Sequence, residues 1–84
     1  MRVVCIYREG QDYSRSVDEW IENVRRQTGH EIETMNPDVN TGLCEAYDVV
    51  EYPTILALDE RGAVRASWRG RELPLINEVL YYMV

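Results

Sequence analysis

Residues 2–7, Arg-Val-Val-Cys-Ile-Tyr, form a run of mainly apolar and β-branched side chains that limits the possible folds more than any other feature of the chain. Successive side chains of a β-strand point to opposite faces of its sheet, so a strand that is apolar on both faces has to be covered on both. We therefore predict a central strand in a sheet that carries helices on both sides. At 84 residues the chain has the length of one domain, and we expect a single domain spanning residues 1–84.

An amphipathic helix is predicted after the loop residues that follow this strand. Ser16-Val17-Asp18-Glu19 has the pattern of a capping box with Ser16 as the N-cap, and Thr28-Gly29 supplies a glycine at the C-terminal end. Between these signals, apolar side chains recur at the spacing of one helix face: Val17, Trp20, Ile21 and Val24. The pattern predicts one long helix with a single buried face.

Two shorter elements are predicted next. Residues 30–36 alternate weakly, with Ile32 and Met35 among acidic neighbours, and predict an edge strand. After the turn Asn36-Pro37-Asp38, a second helix is predicted over about residues 40–48. Its inward side chains are expected to be Leu43, Cys44, Ala46 and Tyr47.

A hairpin and a last helix complete the chain. Residues 54–58 and 63–68 predict two strands joined by Asp59-Glu60-Arg61-Gly62, whose late glycine suits a positive φ. Pro74 is expected as the first residue of the last helix. The buried side chains of that helix are expected to be Leu75, Ile76, Val79, Leu80 and Met83. The predicted order is β-α-β-α-β-β-α, an α/β fold with a four-stranded mixed sheet, in which a right-handed crossover makes the first two strands parallel.

The charge balance argues against nucleic acids and membrane surfaces as partners. The chain has nine arginines, no lysine and fifteen acidic residues, a net charge of −6, and its arginines are scattered among the acids. Such a surface is repelled by phosphate backbones and anionic lipids. No apolar run approaches the roughly 18 residues of a membrane span. The first residues begin a strand without a signal-peptide pattern, so we expect a cytoplasmic protein.

The two cysteines, Cys5 and Cys44, lie far apart and form no Cys-x-x-Cys pair. The single histidine, His30, has no cysteine at ligand spacing, so we expect no metal site. We interpret both cysteines as reduced, buried thiols that pack in the core.

The segment Tyr47-Asp48-Val49-Val50-Glu51-Tyr52-Pro53-Thr54-Ile55-Leu56 resembles a segment of the thioredoxin family. In that family it ends a helix, turns, and enters a strand through a cis-proline followed by threonine. Asn36-Pro37-Asp38 and Trp68-Arg69-Gly70 resemble family features as well, and the likeness covers nearly the whole chain. The resemblance implies a thioredoxin-like fold of glutaredoxin size, with the Tyr52–Pro53 peptide bond in cis.

The chemistry of the family is missing from its expected place. The resemblance puts a Cys-x-x-Cys between the first strand and first helix, where this chain has Gln11 and Ser14 instead of the two cysteines. Neither residue forms a disulfide, and a serine hydroxyl without a histidine base does not replace a thiolate. Gly70-Arg71-Glu72 matches the glutathione segment of glutaredoxins only in part, so glutathione is the one cofactor that the resemblance leaves open.

The first hypothesis is therefore a redox-inactive binding module for a protein or peptide, with no catalytic residue. In the family, the cis-proline loop pairs its backbone with an extended segment, a form of strand addition. The predicted binding surface is the remnant of the active site, with the side chains Tyr7, Gln11, Asp12, Tyr13, Ser14, Tyr52, Pro53 and Thr54.

Three alternatives stay open. In the first, the chain is a thiol–disulfide oxidoreductase that uses Cys5 or Cys44. In the second, it binds an anion or small ligand at the start of the first helix through Ser14, Arg15 and Ser16. Association through the last helix, with Tyr81 and Tyr82, is the third. The residues name neither a partner nor an oligomeric state.

Overall fold

The first strand, β1 (Arg2–Ile6), lies inside a four-stranded sheet in the computed structural model, which describes residues 1–84. The elements that follow it are α1 (Ser14–Thr28), β2 (Glu33–Met35), α2 (Thr41–Ala46), β3 (Thr54–Leu58), β4 (Val64–Arg69) and α3 (Ile76–Leu80). The strand order is β2-β1-β3-β4, in which β1 and β2 are parallel and the other pairs are antiparallel. The predicted fold class is confirmed.

Two hydrophobic cores flank the sheet. On one side, Cys5 of β1 packs in a cluster of ten buried residues that includes Val17 of α1 and Val79 of α3. On the other side, Ile6 of β1 packs in a cluster of six that includes Cys44 of α2. Because neighbouring residues of β1 point to opposite faces, its apolar run serves both cores.

The capping prediction for α1 is wrong at its first end. The helix begins at Ser14, two residues before the predicted cap, so Ser16 lies exposed within the first turn. Tyr13 holds the N-cap position, and its side chain makes no capping hydrogen bond to the helix. The hydroxyl of Ser14 already holds the preceding loop, and this brings the helix start forward. At the other end, Gly29 has a φ of 76° and donates its N–H to Arg25, as the glycine cap predicts.

The last helix also starts later than predicted. Pro74 is buried but precedes the helix, because its carbonyl accepts a hydrogen bond of 2.9 Å from the Trp20 indole and Leu75 stays extended with a ψ of 147°. Leu75 is consequently 66% exposed, not buried as predicted. In α2, which spans Thr41–Ala46, Cys44 points inward as expected but Ala46 is exposed.

The β3–β4 hairpin closes through one aspartate. The Asp59 side chain accepts hydrogen bonds from the N–H groups of Arg61 and Ala63, both at 2.9 Å, and Gly62 takes the positive φ that the turn requires, 83°. β4 runs from Val64 to Arg69 and leaves one side of its backbone unpaired as a sheet edge. None of the three helices has the length and apolar character to cross a membrane.

Candidate functional site

The end of β1 and the start of β3 lie side by side, because Ile6 pairs with Thr54 in the antiparallel register. The Tyr52–Pro53 peptide bond immediately before β3 is cis. The Pro53 carbonyl accepts a hydrogen bond of 2.9 Å from the N–H of Gly70, after β4. The segments 8–13, 51–53 and 70–71 therefore meet at one end of the sheet, and we call their common surface the loop face.

Ser14 holds the loop between β1 and α1 in shape. Its hydroxyl donates to the Arg8 carbonyl at 2.6 Å and accepts the N–H of Gln11 at 2.9 Å. The Ser14 side chain is buried, so both hydrogen bonds are partly shielded from solvent. With its oxygen committed to the loop, Ser14 is not free to help bind an anion at the helix start.

Arg8 joins this loop to the cis-proline turn. Its guanidinium lies 4.7 Å from the centre of the Tyr52 ring, a cation–π contact. The same group forms a forked ion pair with Asp38, with Nη2 to Oδ1 at 2.8 Å and Nε to Oδ2 at 3.0 Å. The Arg8 N–H also donates to the Tyr13 hydroxyl at 3.2 Å. Arg8 thus fixes the position of Tyr52 relative to the first loop.

Arg71 fixes the position of Tyr13 from the other side of the loop face. It lies 5.6 Å from the centre of the Tyr13 ring and pairs with Asp12 at 2.7 Å. The segment that resembles part of a glutathione site is therefore tied to the first loop through the side chain of Arg71.

The eight predicted site residues divide into supports and surface. Tyr7, Ser14, Pro53 and Thr54 are buried. The Tyr7 hydroxyl faces Asp18 at 2.6 Å and Glu9 at 2.9 Å; burial, together with these hydrogen bonds, raises its pKa. The side chains that reach solvent are Gln11, Asp12, Tyr13 and Tyr52.

The backbone N–H and C=O groups of Tyr52 are also unpaired. Neither its N–H nor its C=O forms a hydrogen bond within the chain. The next peptide unit differs, since the Pro53 carbonyl is paired with Gly70 and the Thr54 hydroxyl donates to the Glu51 carbonyl at 2.7 Å. Tyr52 therefore carries one unpaired backbone donor and one unpaired backbone acceptor beside the cis-proline turn.

Solved structures share this arrangement of elements. Thioredoxin 1 from the thermophilic eubacterium Thermosipho africanus TCF52B matches with a TM-score of 0.71 at 16% sequence identity, covering 99% of this chain and 90% of that one. The germline-specific thioredoxin Deadhead from Drosophila melanogaster matches with a TM-score of 0.70 at 18% identity, covering 96% and 75%.

The fold is thioredoxin-like.

A structure described as that of a malarial protein also matches this chain, with a TM-score of 0.69 at 16% identity, covering 96% of this chain and 90% of that one. No family model matches the sequence, and no curated protein matches it. The likeness is thus one of backbone structure.

The two cysteines of this thioredoxin-like chain lie on opposite faces of the sheet. Cys5 belongs to the core under α1 and α3, and Cys44 belongs to the core under α2. Both are free and buried. Burial raises the pKa of the Cys5 thiol to about 12. With the sheet between them, the two sulfur atoms do not face each other.

Sequence reasoning missed three charged residues that hold the loop face in place: Arg8 and Arg71 within it, and Asp38 beside it. Each lies beside a feature that it did single out, next to Tyr7, in the Asn36-Pro37-Asp38 turn and after Gly70. Their pairing depends on how four separate loops approach one another in the thioredoxin-like fold. The only indication of these pairs in the sequence is that charged residues occupy the loops nearest the predicted site.

The ion pairs of the loop face predict a loss of stability in acid. Hydrogen bonds from Arg71 and Arg8 lower the pKa values of Asp12 and Asp38 from the usual 3.8. The ionised carboxylates therefore stabilise the fold above the unfolded-state pKa, and this contribution disappears as pH falls through the lowered values.

When the pH is lowered below about 4, we expect the unfolding temperature to decrease. The decrease should be smaller in Asp38→Asn than in the wild type. Both carboxylates are exposed, so added salt should reduce the difference between the wild type and this variant. Scanning calorimetry across acidic pH measures the effect. Identical acid profiles for the wild type and Asp38→Asn would contradict a stabilising role for the Arg8–Asp38 pair.

Proposed function

We propose that this domain binds an extended segment of a protein partner on the loop face and does not catalyse thiol–disulfide exchange. The observation that carries the proposal is the free N–H and C=O of Tyr52 beside the Pro53 turn. An extended segment that pairs with both groups adds a short strand at this end of the sheet.

The side chains around this backbone support a binding role. Tyr52 is half-buried and held under the Arg8 guanidinium, and Tyr13 is held in the same way by Arg71. Tyrosines that are fixed before binding lose little conformational entropy when a partner arrives. An aromatic ring with a polar tip is also a common anchor at protein interfaces.

The thiols argue against an oxidoreductase. A reactive cysteine needs an accessible, low-pKa thiolate. Cys5 is fully buried with a pKa raised to about 12, and Cys44 packs within the α2 core. At the start of α1, Gln11 and Ser14 stand in place of the two cysteines and supply no thiol. Binding of a peptide segment requires no cofactor.

Tyr52→Ala is expected to weaken binding by about 1–3 kcal/mol, the range of an interface anchor. The probe is a peptide selected from a random display library on the immobilised domain, and titration calorimetry measures its affinity. Val50→Ala is the matched control, since Val50 lies two residues away, is 79% exposed and stands outside the loop face. Its affinity should equal that of the wild type.

The backbone pairing is tested on the peptide itself. Methylating one peptide nitrogen at a time removes one N–H donor without changing the side chains, and one methylated position should lose most of the binding. NMR shifts on binding should include residues 11–13 and the N–H of Tyr52. Shifts confined to residues 78–84 would place the interface on the last helix and reject the loop face.

A further inference from the structure

An aromatic groove lies between β4 and α3, away from the loop face. It is an open depression of about 470 Å³ on the protein surface, lined by Ala66, Ser67, Trp68, Glu78, Tyr81 and Tyr82. We call it the aromatic groove. None of its residues belongs to the loop face.

The groove contains three aromatic rings, and the Tyr82 ring packs edge-to-face against each of the other two. Trp68 and Tyr82 have ring centres 5.8 Å apart at 71°, and Tyr81 and Tyr82 have centres 5.0 Å apart at 83°. Tyr82 is half-buried and packs against the core, whereas Tyr81 is 74% exposed. Tyr82 thus packs edge-to-face with both other rings and anchors them to the core, while Tyr81 leaves most of its ring open to solvent.

The groove carries a negative charge that nothing in the chain neutralises. Glu78 is exposed, and its carboxylate forms no ion pair or side-chain hydrogen bond. The arginines of β4 are engaged elsewhere: Arg65 lies 4.0 Å from Asp59, and Arg69 donates to the carbonyls of Asp48 and Tyr47. The groove thus combines aromatic surface with an unpaired carboxylate in a chain of net charge −6.

We propose that the aromatic groove binds the trimethylammonium head group of a small organic cation of the choline class. Aromatic faces attract a cation through the negative charge of their π-systems, and quaternary ammonium groups are recognised in this way. Such a head group carries its positive charge on methyl groups without N–H donors, so it can contact ring surfaces and a carboxylate without giving up hydrogen bonds to water. A guanidinium or a primary ammonium is more strongly hydrated through its N–H donors, and it loses part of that hydration when it lies against the rings.

Choline itself is the probe, titrated into the ¹⁵N-labelled domain. The expected shifts are those of the Trp68 indole N–H and the backbone N–H groups of Tyr81 and Tyr82. The Trp20 indole, which is hydrogen-bonded to Pro74 beneath α1, should not move and serves as an internal control. 3,3-Dimethylbutanol, which has the shape of choline without its charge, should bind about tenfold more weakly.

Two variants test the groove without disturbing the core. Glu78→Gln removes the charge and Tyr81→Ala removes the most exposed ring; each should weaken choline binding by about three- to tenfold. Glu45→Gln, an exposed substitution on α2, should bind as the wild type does. Equal binding of choline and the neutral alcohol, tighter binding of methylguanidinium, shifts outside the groove, or no shift at the solubility limit would each overturn the proposal.

Discussion

Replacing Gln11 and Ser14 together by cysteine is expected to give the domain a reversible disulfide and a disulfide-reductase activity. The N–H of residue 14 already bonds to the carbonyl of residue 11 at 3.2 Å, so the two residues span a tight turn. Such turns hold their outer Cα atoms within about 7 Å, close to the range that a disulfide bridges. The start of α1 also favours a thiolate through its helix dipole and free N–H groups.

Two measurements follow this change. After oxidation with oxidised glutathione, the double variant should show two protected thiols in denaturant and no glutathione adduct by mass, because the second cysteine displaces glutathione; Gln11→Cys alone should be protected only as a mixed disulfide that carries one glutathione. In a dithiothreitol-coupled insulin assay, only the double variant should exceed background. Turnover by the wild type that disappears in Cys44→Ser would instead show that Cys44 is reactive and that the redox-inactive proposal is wrong.

Leu56→Ala is expected to lower the free energy of unfolding by about 2–5 kcal/mol. Leu56 is fully buried in β3 and packs in the six-residue core with Ile6 and Cys44. A domain of this length has a total stability of roughly 4–12 kcal/mol, so the loss is a large fraction of the total and the variant should unfold at a clearly lower urea concentration. The small core has no other large side chain on β3 except Leu58 to fill the cavity.

Urea denaturation followed by circular dichroism measures this loss. Val50→Ala removes apolar atoms from a side chain that is 79% exposed, and its stability should lie within about 0.5 kcal/mol of the wild type. A loss below about 1 kcal/mol for Leu56→Ala would mean that the α2 side of the sheet repacks around the missing atoms.

The sheet could be predicted from sequence because its signals are local. The apolar run of β1 and the bounds of β3 depend on side chains within one strand, and β3 spans Thr54–Leu58 as predicted. The errors arose where a side-chain hydrogen bond, which the apolar spacing does not reveal, decides where a helix begins. Trp20 holds the Pro74 carbonyl and delays the last helix, and the Ser14 hydroxyl holds the first loop and advances α1.

The same reasoning explains what could be predicted of the loop face. Tyr52 and Pro53 could be predicted as site residues because the short segment around them resembles a segment of the thioredoxin family. The Arg8–Asp38 pair joins residues 30 positions apart, and the Arg71–Asp12 pair joins residues 59 positions apart. In a chain with nine arginines and fifteen acids, composition does not indicate which charges pair.

The separation of Cys5 and Cys44 by the sheet gives each layer of the molecule its own chemical reporter. A thiol reagent reaches a buried cysteine only when the structure above it opens, so labelling rates measure local unfolding. The α2 layer rests on six buried residues and the α1–α3 layer on ten. Under native conditions Cys44 would therefore report on the opening of the α2 layer, and Cys5 on events that reach the larger core.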